Sequence, residues 1–278
     1  MKPVAFDYLK PRDLGEAAAT LGKEGAKLIG GGQSLGPMLN LRLARPSLLV
    51  DVSKLEGLRR IEETPNSWRI GGAVTHAQIE DRRGSLPGAE MLAEVAAGIA
   101  YRSVRNRGTM GGSLAHADPA ADWPLTLAVL DATVIVSGKG GSRKIAADRF
   151  MIATFTTELK DDEIIEAVEV PKLSDSARTG YFKFCRKTGE FPEASAALVL
   201  DAPRKAARLF VGALNGAPQP LPALAAAIAE KGAEAASKDA VVAALKAVAP
   251  ELDAVGLRMH AGAVARAIGQ AVGQAVGS

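Results

Sequence analysis

Apolar positions alternate or cluster in short runs through most of the chain, and glycine, proline or asparagine closes nearly every run. Val4 to Leu9 reads as a short strand. Pro11 and Asp13 then open a helix over LGEAAATLG, with Asp13 as its N-cap. AKLIGGGQSLG reads as an apolar strand that runs into a glycine loop. PMLNLRLA opens a second helix at Pro37, and SLLVDV is a strand. Beyond Lys54 the texture shortens: LRRIEE and WRIGGAV are strands parted by a turn at Pro65 and Asn66. Thr75 caps a helix through Ile79, and Leu86 to Ala100 carries apolar residues at helical spacing. ATVIVS and RKIAAD form a hairpin, and EIIEAVEVP is a strand closed by Pro171.

A third region begins near Lys172. YFKFCRK, ASAALVL and ARLFVGAL predict three antiparallel strands, and the chain from about Pro222 is alanine-rich and helical. This order predicts an α+β protein. A length of 278 residues is beyond the usual single domain, and three pieces are expected, at 1–56, 57–171 and 172–278.

Composition narrows the function classes. Apolar residues make up 47% and charged residues 23%, which suits a folded soluble protein. The net charge of +3 is too small and too dispersed to argue for nucleic acid. The densest basic run, Lys139 to Lys144, falls between two strand-like runs and reads as a solvated turn. A single cysteine, Cys185, rules out an internal disulfide framework and an all-cysteine iron–sulfur cluster, and it is read as a small buried hydrophobe. The opening residues lack the apolar stretch of a signal peptide. No apolar run approaches the roughly 18 residues of a membrane span. A cytoplasmic protein is expected.

Two glycine segments carry the candidate chemistry. In Lys27-Leu28-Ile29-Gly30-Gly31-Gly32-Gln33-Ser34-Leu35, three glycines after a strand allow a sharp turn and close backbone approach to a ligand. Their N–H groups make an anion site, to which Ser34 adds a hydroxyl and a following helix its dipole. The second segment, Arg105 to Asp122, again joins glycines to hydroxyls, at Thr109, Gly111, Gly112 and Ser113. It also holds two carboxylates, Asp118 and Asp122, at a spacing that a helix would place on one face. A dinucleotide offers a pyrophosphate for N–H donors and hydroxyls for a carboxylate. Leu35 stands where a Rossmann G-x-G-x-x-G needs its last glycine, and no P-loop signature occurs, so neither of those folds is expected.

KLIGGGQSLGPMLNLRLARPSLLVD and RNRGTMGGSLAHADPAADWPLTLAVLDA closely resemble the two FAD-binding stretches of the medium subunit of carbon monoxide dehydrogenase-like molybdenum hydroxylases, a module shared with xanthine dehydrogenase. The resemblance extends over essentially the whole chain. It implies a two-part FAD-binding fold of the vanillyl-alcohol-oxidase (PCMH-like) type, followed by a C-terminal domain of a three-stranded antiparallel sheet and helices. By motif position it also implies that Lys27 to Leu35 wrap the pyrophosphate and ribityl region of FAD, and that Thr109, Gly111, Gly112 and Ser113 meet the diphosphate from the other side. Asp122 matches a carboxylate that bonds FAD hydroxyls, Ile99 and Ala100 line the adenine side, Ile165 is an apolar contact, and Lys183 lies near the flavin. No catalytic residue and no metal ligand is expected in this chain. The implied partners are a large molybdopterin-binding subunit and a small subunit with two [2Fe–2S] clusters, in a dimer of heterotrimers.

Gln33 and Ser113 replace residues common in relatives, and both keep hydrogen-bonding ability. His76 and His260 lie outside the motifs, and His116 sits where relatives carry histidine without a covalent link, so noncovalent FAD is expected. Other readings stand beside these. Asp122 could be the N-cap of WPLTLAVL, Asp118 a loop-fixing residue, Lys183 one position on a polar strand face, and Phe191 either a cover for one flavin face or a loop anchor. The competing functions are a stand-alone FAD oxidase of the same fold and a binding protein that has lost its cofactor.

Overall fold

The computed structural model describes residues 1–273. The chain opens with β1 (Asp7–Leu9), α1 (Leu14–Leu21), β2 (Ala26–Ile29), α2 (Leu35–Asn40) and β3 (Leu48–Asp51). Its strands form an all-parallel sheet in the order β1-β3-β2. Asp13 caps α1 by accepting the Glu16 N–H at 2.8 Å. That helix lays Ala17 and Ala18 on Val50 of the central strand.

The second unit comprises β4 (Ile61–Glu63), β5 (Ser67–Gly71), α3 (His76–Glu80), α4 (Glu90–Ala97), α5 (Arg102–Arg105), α6 (Met110–His116) and α7 (Asp122–Val129). It continues with β6 (Thr133–Gly138), β7 (Gly141–Ala146), α8 (Ala147–Phe150), β8 (Met151–Ala153), β9 (Thr156–Thr157) and β10 (Ile164–Pro171). An antiparallel sheet runs β4-β5-β10-β6-β7, with β8 and β9 as a small separate ribbon. Its apolar face, with Ile70, Val134 and Val168 fully buried, packs in one core with Leu92 and Val95 of α4 and Trp123 and Leu127 of α7.

The third unit holds β11 (Arg178–Phe184), β12 (Ala194–Asp201), β13 (Ala206–Gly212), β14 (Gln219–Pro220), α9 (Pro222–Lys231), α10 (Lys238–Val248) and α11 (Ala254–Val272). Every residue of β12 is buried, because the strand is covered on both faces. Ala197 and Val199 enter the core of the second unit, while Ala196, Leu198 and Leu200 face α9–α11. The two-residue alternation of a strand therefore welds two cores through one wall.

Several elements differ from the sequence expectation. The C-terminal sheet has a fourth strand, β14, whose two residues include a proline and sit at the edge, where a missing N–H costs nothing. The helix expected at Pro37 starts two residues earlier, at Leu35. The helix expected from Leu86 starts at Glu90, because Leu86–Ala89 forms a turn and Gly88 takes a positive φ of 73°. The Leu58 and Arg59 of LRRIEE belong to a 3₁₀ turn over Glu56–Arg59, and Arg60 follows it in extended conformation. Asp118 lies in a loop before α7 while Asp122 begins the helix, so the two do not share a helical face. Cys185 is half-buried, just beyond the end of β11, rather than a core residue. Residues 274–278 of the expected third piece lie outside the described residues. Among the described residues no helix is long and apolar enough to cross a membrane.

Candidate cofactor cleft

A cleft of about 840 Å³ opens where the three units meet. Residues 27–35 form one wall, Ile99, Ala100 and residues 108–122 another, and Ile164, Ile165 and the tip of the β8–β9 ribbon a third. Gly189, Glu190 and Phe191, from the loop after β11, close the rim. Every sequence-predicted site residue lines this cleft except Lys183, which stands behind Asp122.

The glycines do two different jobs. None of the backbone N–H groups of residues 30–35 donates to a protein acceptor among the described residues, so the loop presents six consecutive donors at the cleft. Gly32 has φ +70°, a conformation that favours glycine. Gly31 instead faces the second loop: a Cβ on it would fall 1.7 Å from the Arg107 carbonyl oxygen. Gly111 likewise sits on Gly72 and donates its N–H to the Gly72 carbonyl at 2.9 Å. Gly31 thus brings the two loops together backbone to backbone, Gly111 seats the second loop on the turn after β5, and glycine is required at both places by the protein itself.

In the second segment most donors are already committed. Met110 N–H bonds Val74 O, Ser113 N–H bonds Thr109 O, and the Thr109 hydroxyl caps α6 by accepting the Gly112 N–H at 3.0 Å. The hydroxyls of Ser34 and Ser113 make no hydrogen bond among the described residues, and both line the cleft.

Asp122 is 6% exposed and is the first residue of α7, so Ala121 rather than Asp122 occupies the N-cap position. Tyr181 donates its hydroxyl to Asp122 Oδ1 at 2.6 Å, and Lys183 Nζ lies 3.0 Å from the same oxygen. Strand alternation puts Tyr181 and Lys183 on one face of β11, where both meet one carboxylate. The other oxygen, Oδ2, has no protein partner among the described residues. Burial pushes the Asp122 carboxyl above its ordinary range, opposed by the Lys183 charge and the Tyr181 hydrogen bond. Lys183 also donates to the Gly98 carbonyl at 2.8 Å.

The histidines differ sharply. His76 Nδ1 accepts from Trp123 Nε1 at 3.1 Å, and burial together with Arg105 pulls its pKa down to about 4. His260 lies in the C-terminal core with its ring nitrogens against the Gly256 and Gly212 carbonyls. His116 lines the cleft, its ring 5.1 Å from that of Phe155. Phe155 and Phe191 line the cleft at 60% and 65% exposure, so neither ring is buried in the protein's own core. Sequence reasoning missed Phe155, which has φ +56°, and missed Tyr181 as a partner of Asp122. Only the i, i+2 placement of Tyr181 and Lys183 hinted at a shared target.

Known proteins resemble this chain in both sequence and fold. Residues 4–173, more than half of the chain, match the family described as FAD binding domain in molybdopterin dehydrogenase. The chain is 38% identical over 220 residues to the 6-hydroxypseudooxynicotine dehydrogenase complex subunit alpha of Paenarthrobacter nicotinovorans, covering 78% of this chain and 74% of that one. It is 37% identical over 205 residues to the carbon monoxide dehydrogenase medium chain of Hydrogenophaga pseudoflava, covering 72% and 70%. The fold superposes on a chain of quinoline 2-oxidoreductase from Pseudomonas putida 86 with a TM-score of 0.90 at 30% identity, covering 98% of this chain and 99% of that one. By sequence and by fold alike, the chain belongs to the FAD-binding medium-subunit family of the molybdopterin dehydrogenases.

Proposed function

We propose that the chain is the flavin-carrying subunit of a heterotrimeric molybdenum hydroxylase, an oxidoreductase. Substrate is oxidised at a molybdopterin centre in a large subunit, and electrons reach this subunit from two [2Fe–2S] clusters in a small one before passing to an external acceptor. Bound FAD supplies the redox chemistry. The chain's own residues bind it, shape its surroundings and hold it close to its donor. The observation that carries the reading is the run of six N–H groups at residues 30–35 that have no acceptor among the described residues, in a loop lining a cleft whose far side holds Asp122, with one carboxylate oxygen likewise unpartnered. Such a pair suits a dinucleotide, with phosphate oxygens for the amides and hydroxyls for the carboxylate.

In this assignment Lys27 to Leu35 hold the pyrophosphate and ribityl side, with Ser34 and Ser113 adding hydroxyl donors. Thr109, Gly111, Gly112 and Ser113 meet the diphosphate from the other side, and Ile99, Ala100 and Ile165 supply apolar walls. Lys183 acts through Asp122. Of the two histidines that line the cleft, His76 is buried against Trp123 and His116 lies with its ring 5.1 Å from that of Phe155, and attachment is noncovalent. Residues 1–56 and 57–171 make the two halves of a vanillyl-alcohol-oxidase-type FAD fold and 172–278 a C-terminal domain. This reading is supported by their separate sheets and by a family match that ends at 173. The assembly is a dimer of heterotrimers in the cytoplasm.

The test is purification of the chain in its native complex, followed by mass spectrometry of the subunits and assay of flavin, iron and molybdenum. One FAD per chain with both partner subunits is expected. A lone flavoprotein that oxidises an organic substrate by itself would overturn the assignment in favour of a stand-alone oxidase.

A further inference from the structure

Ile99 and Ala100, which follow α4 and line the cleft, are held in a shape that Ala100 disfavours. Ala100 has φ +44°, in the left-handed region, which an alanine disfavours because its Cβ crowds the following carbonyl oxygen. Such a conformation persists only where the surroundings over-determine it. Arg105, whose side chain is 11% exposed, donates through Nη1 to the carbonyls of Ile99 at 2.9 Å and Ala100 at 2.8 Å. Its Nε and Nη2 grip Glu80 at 2.8 and 3.0 Å. All three guanidinium nitrogens are then engaged, through four of the five N–H groups, which fixes the orientation of the fork. Arg102 reaches Glu80 and Asp81, which steadies Glu80 in turn. From the opposite side, Gly189 at φ +91° backs the same peptide, since a Cβ there would lie 2.7 Å from the Ala100 oxygen.

We propose that Arg105, oriented by Glu80, is a positioning residue for cofactor binding, holding Ile99-Ala100 in the left-handed turn that gives this wall the shape FAD requires. The proposal rests on the reading of the cleft as the FAD site. The four hydrogen bonds of Arg105 exceed the three donors of a lysine ammonium, and two of them grip one carboxylate in parallel, so the geometry calls for arginine.

The test titrates the full-length chain, freed of flavin, with FAD and follows flavin fluorescence, with the thermal midpoint measured separately on the flavin-free protein. If the unmodified chain binds no FAD, the cofactor reading falls and this proposal falls with it. Where the unmodified chain binds, Arg105→Met keeps the aliphatic stem and removes the donors, and should raise the FAD Kd roughly tenfold. Adding Ala100→Gly should return the Kd to within about threefold of the starting value, because glycine takes this φ without strain. Glu80→Gln, which leaves Arg105 in place but loosens it, should raise the Kd by about threefold and decides the matter if Arg105→Met fails to fold. The proposal is overturned if the variants lower the midpoint while the Kd stays unchanged. It is overturned equally if Ala100→Gly leaves binding as weak as Arg105→Met alone.

Discussion

Replacing Gly31 with alanine probes the joint between the two glycine loops. The added Cβ would stand 1.7 Å from the Arg107 carbonyl oxygen, 2.4 Å from its carbon and 2.8 Å from the Gly108 nitrogen, all backbone atoms. Ordinary contact begins at 3.4 Å, so the loops must part by well over an ångström. Overpacking of this kind costs about 1–3 kcal/mol where neighbours can yield, and here they cannot do so by a rotamer change. A loss of at least ~3 kcal/mol is therefore expected, with flavin content below roughly a tenth of the normal value. Two neighbouring glycines serve as controls. Gly32→Ala meets only the flexible tip of Ile29 at 3.3 Å and pays for φ +70°, about 1–2 kcal/mol. Gly36→Ala meets nothing within 4 Å and lies inside α2, where alanine should gain up to about 1 kcal/mol. Flavin-to-protein absorbance ratios and thermal midpoints on the three variants give the order directly. Gly31→Ala matching Gly32→Ala in both measurements would refute the claim that the loops are fastened through this contact.

Three other outcomes are expected. The depressed pKa of His76 means that folding expels a proton: the associated stability is intact above pH 6.5 and is lost as pH falls towards about 4. Urea unfolding across that range should show up to ~3 kcal/mol of decline, and His76→Gln should flatten it. Asp122→Asn strands the Lys183 ammonium beside a neutral amide, for a loss of ~3–5 kcal/mol in chemical denaturation, and it should cut FAD occupancy at least about tenfold. Acid precipitation should release the yellow colour into the supernatant, whereas flavin pelleting with the protein would expose a covalent bond.

What could be read from the sequence follows the range of the forces involved. The first loop was legible because an apolar strand followed by three glycines is a local signal. So were β6, β7 and β10, whose short β-branched runs pair antiparallel as expected, with one register break between Ile165 and Ala167. The helix at Met110–His116 was not, because two glycines depress its local propensity and the Thr109 cap and the Gly72 contact that hold it depend on the folded chain. The four-residue spacing of Asp118 and Asp122 suggested a helical pair, and the loop residues Pro119 to Ala121 broke it. Lys183 was assigned to the site by motif position, but its bond to a carboxylate 61 positions earlier could be seen only in the fold. Arg105 and Glu80 carried no signal at all, since neither spacing nor composition marks a clamp between two separate helices.

The cleft draws its walls from all three units, and this gives the cofactor a second role as mortar. A ligand that binds only the assembled cleft stabilises every unit that contributes a wall, by about 2.7 kcal/mol at a hundredfold excess over its Kd. Part of the chain's cohesion is then set by flavin supply rather than by its own contacts. A newly made chain meeting scarce FAD would hold its glycine loops, its middle sheet and the β11 rim less firmly together than the same chain meeting abundant FAD. Cofactor loading and maturation of the subunit are, by this architecture, a single thermodynamic event.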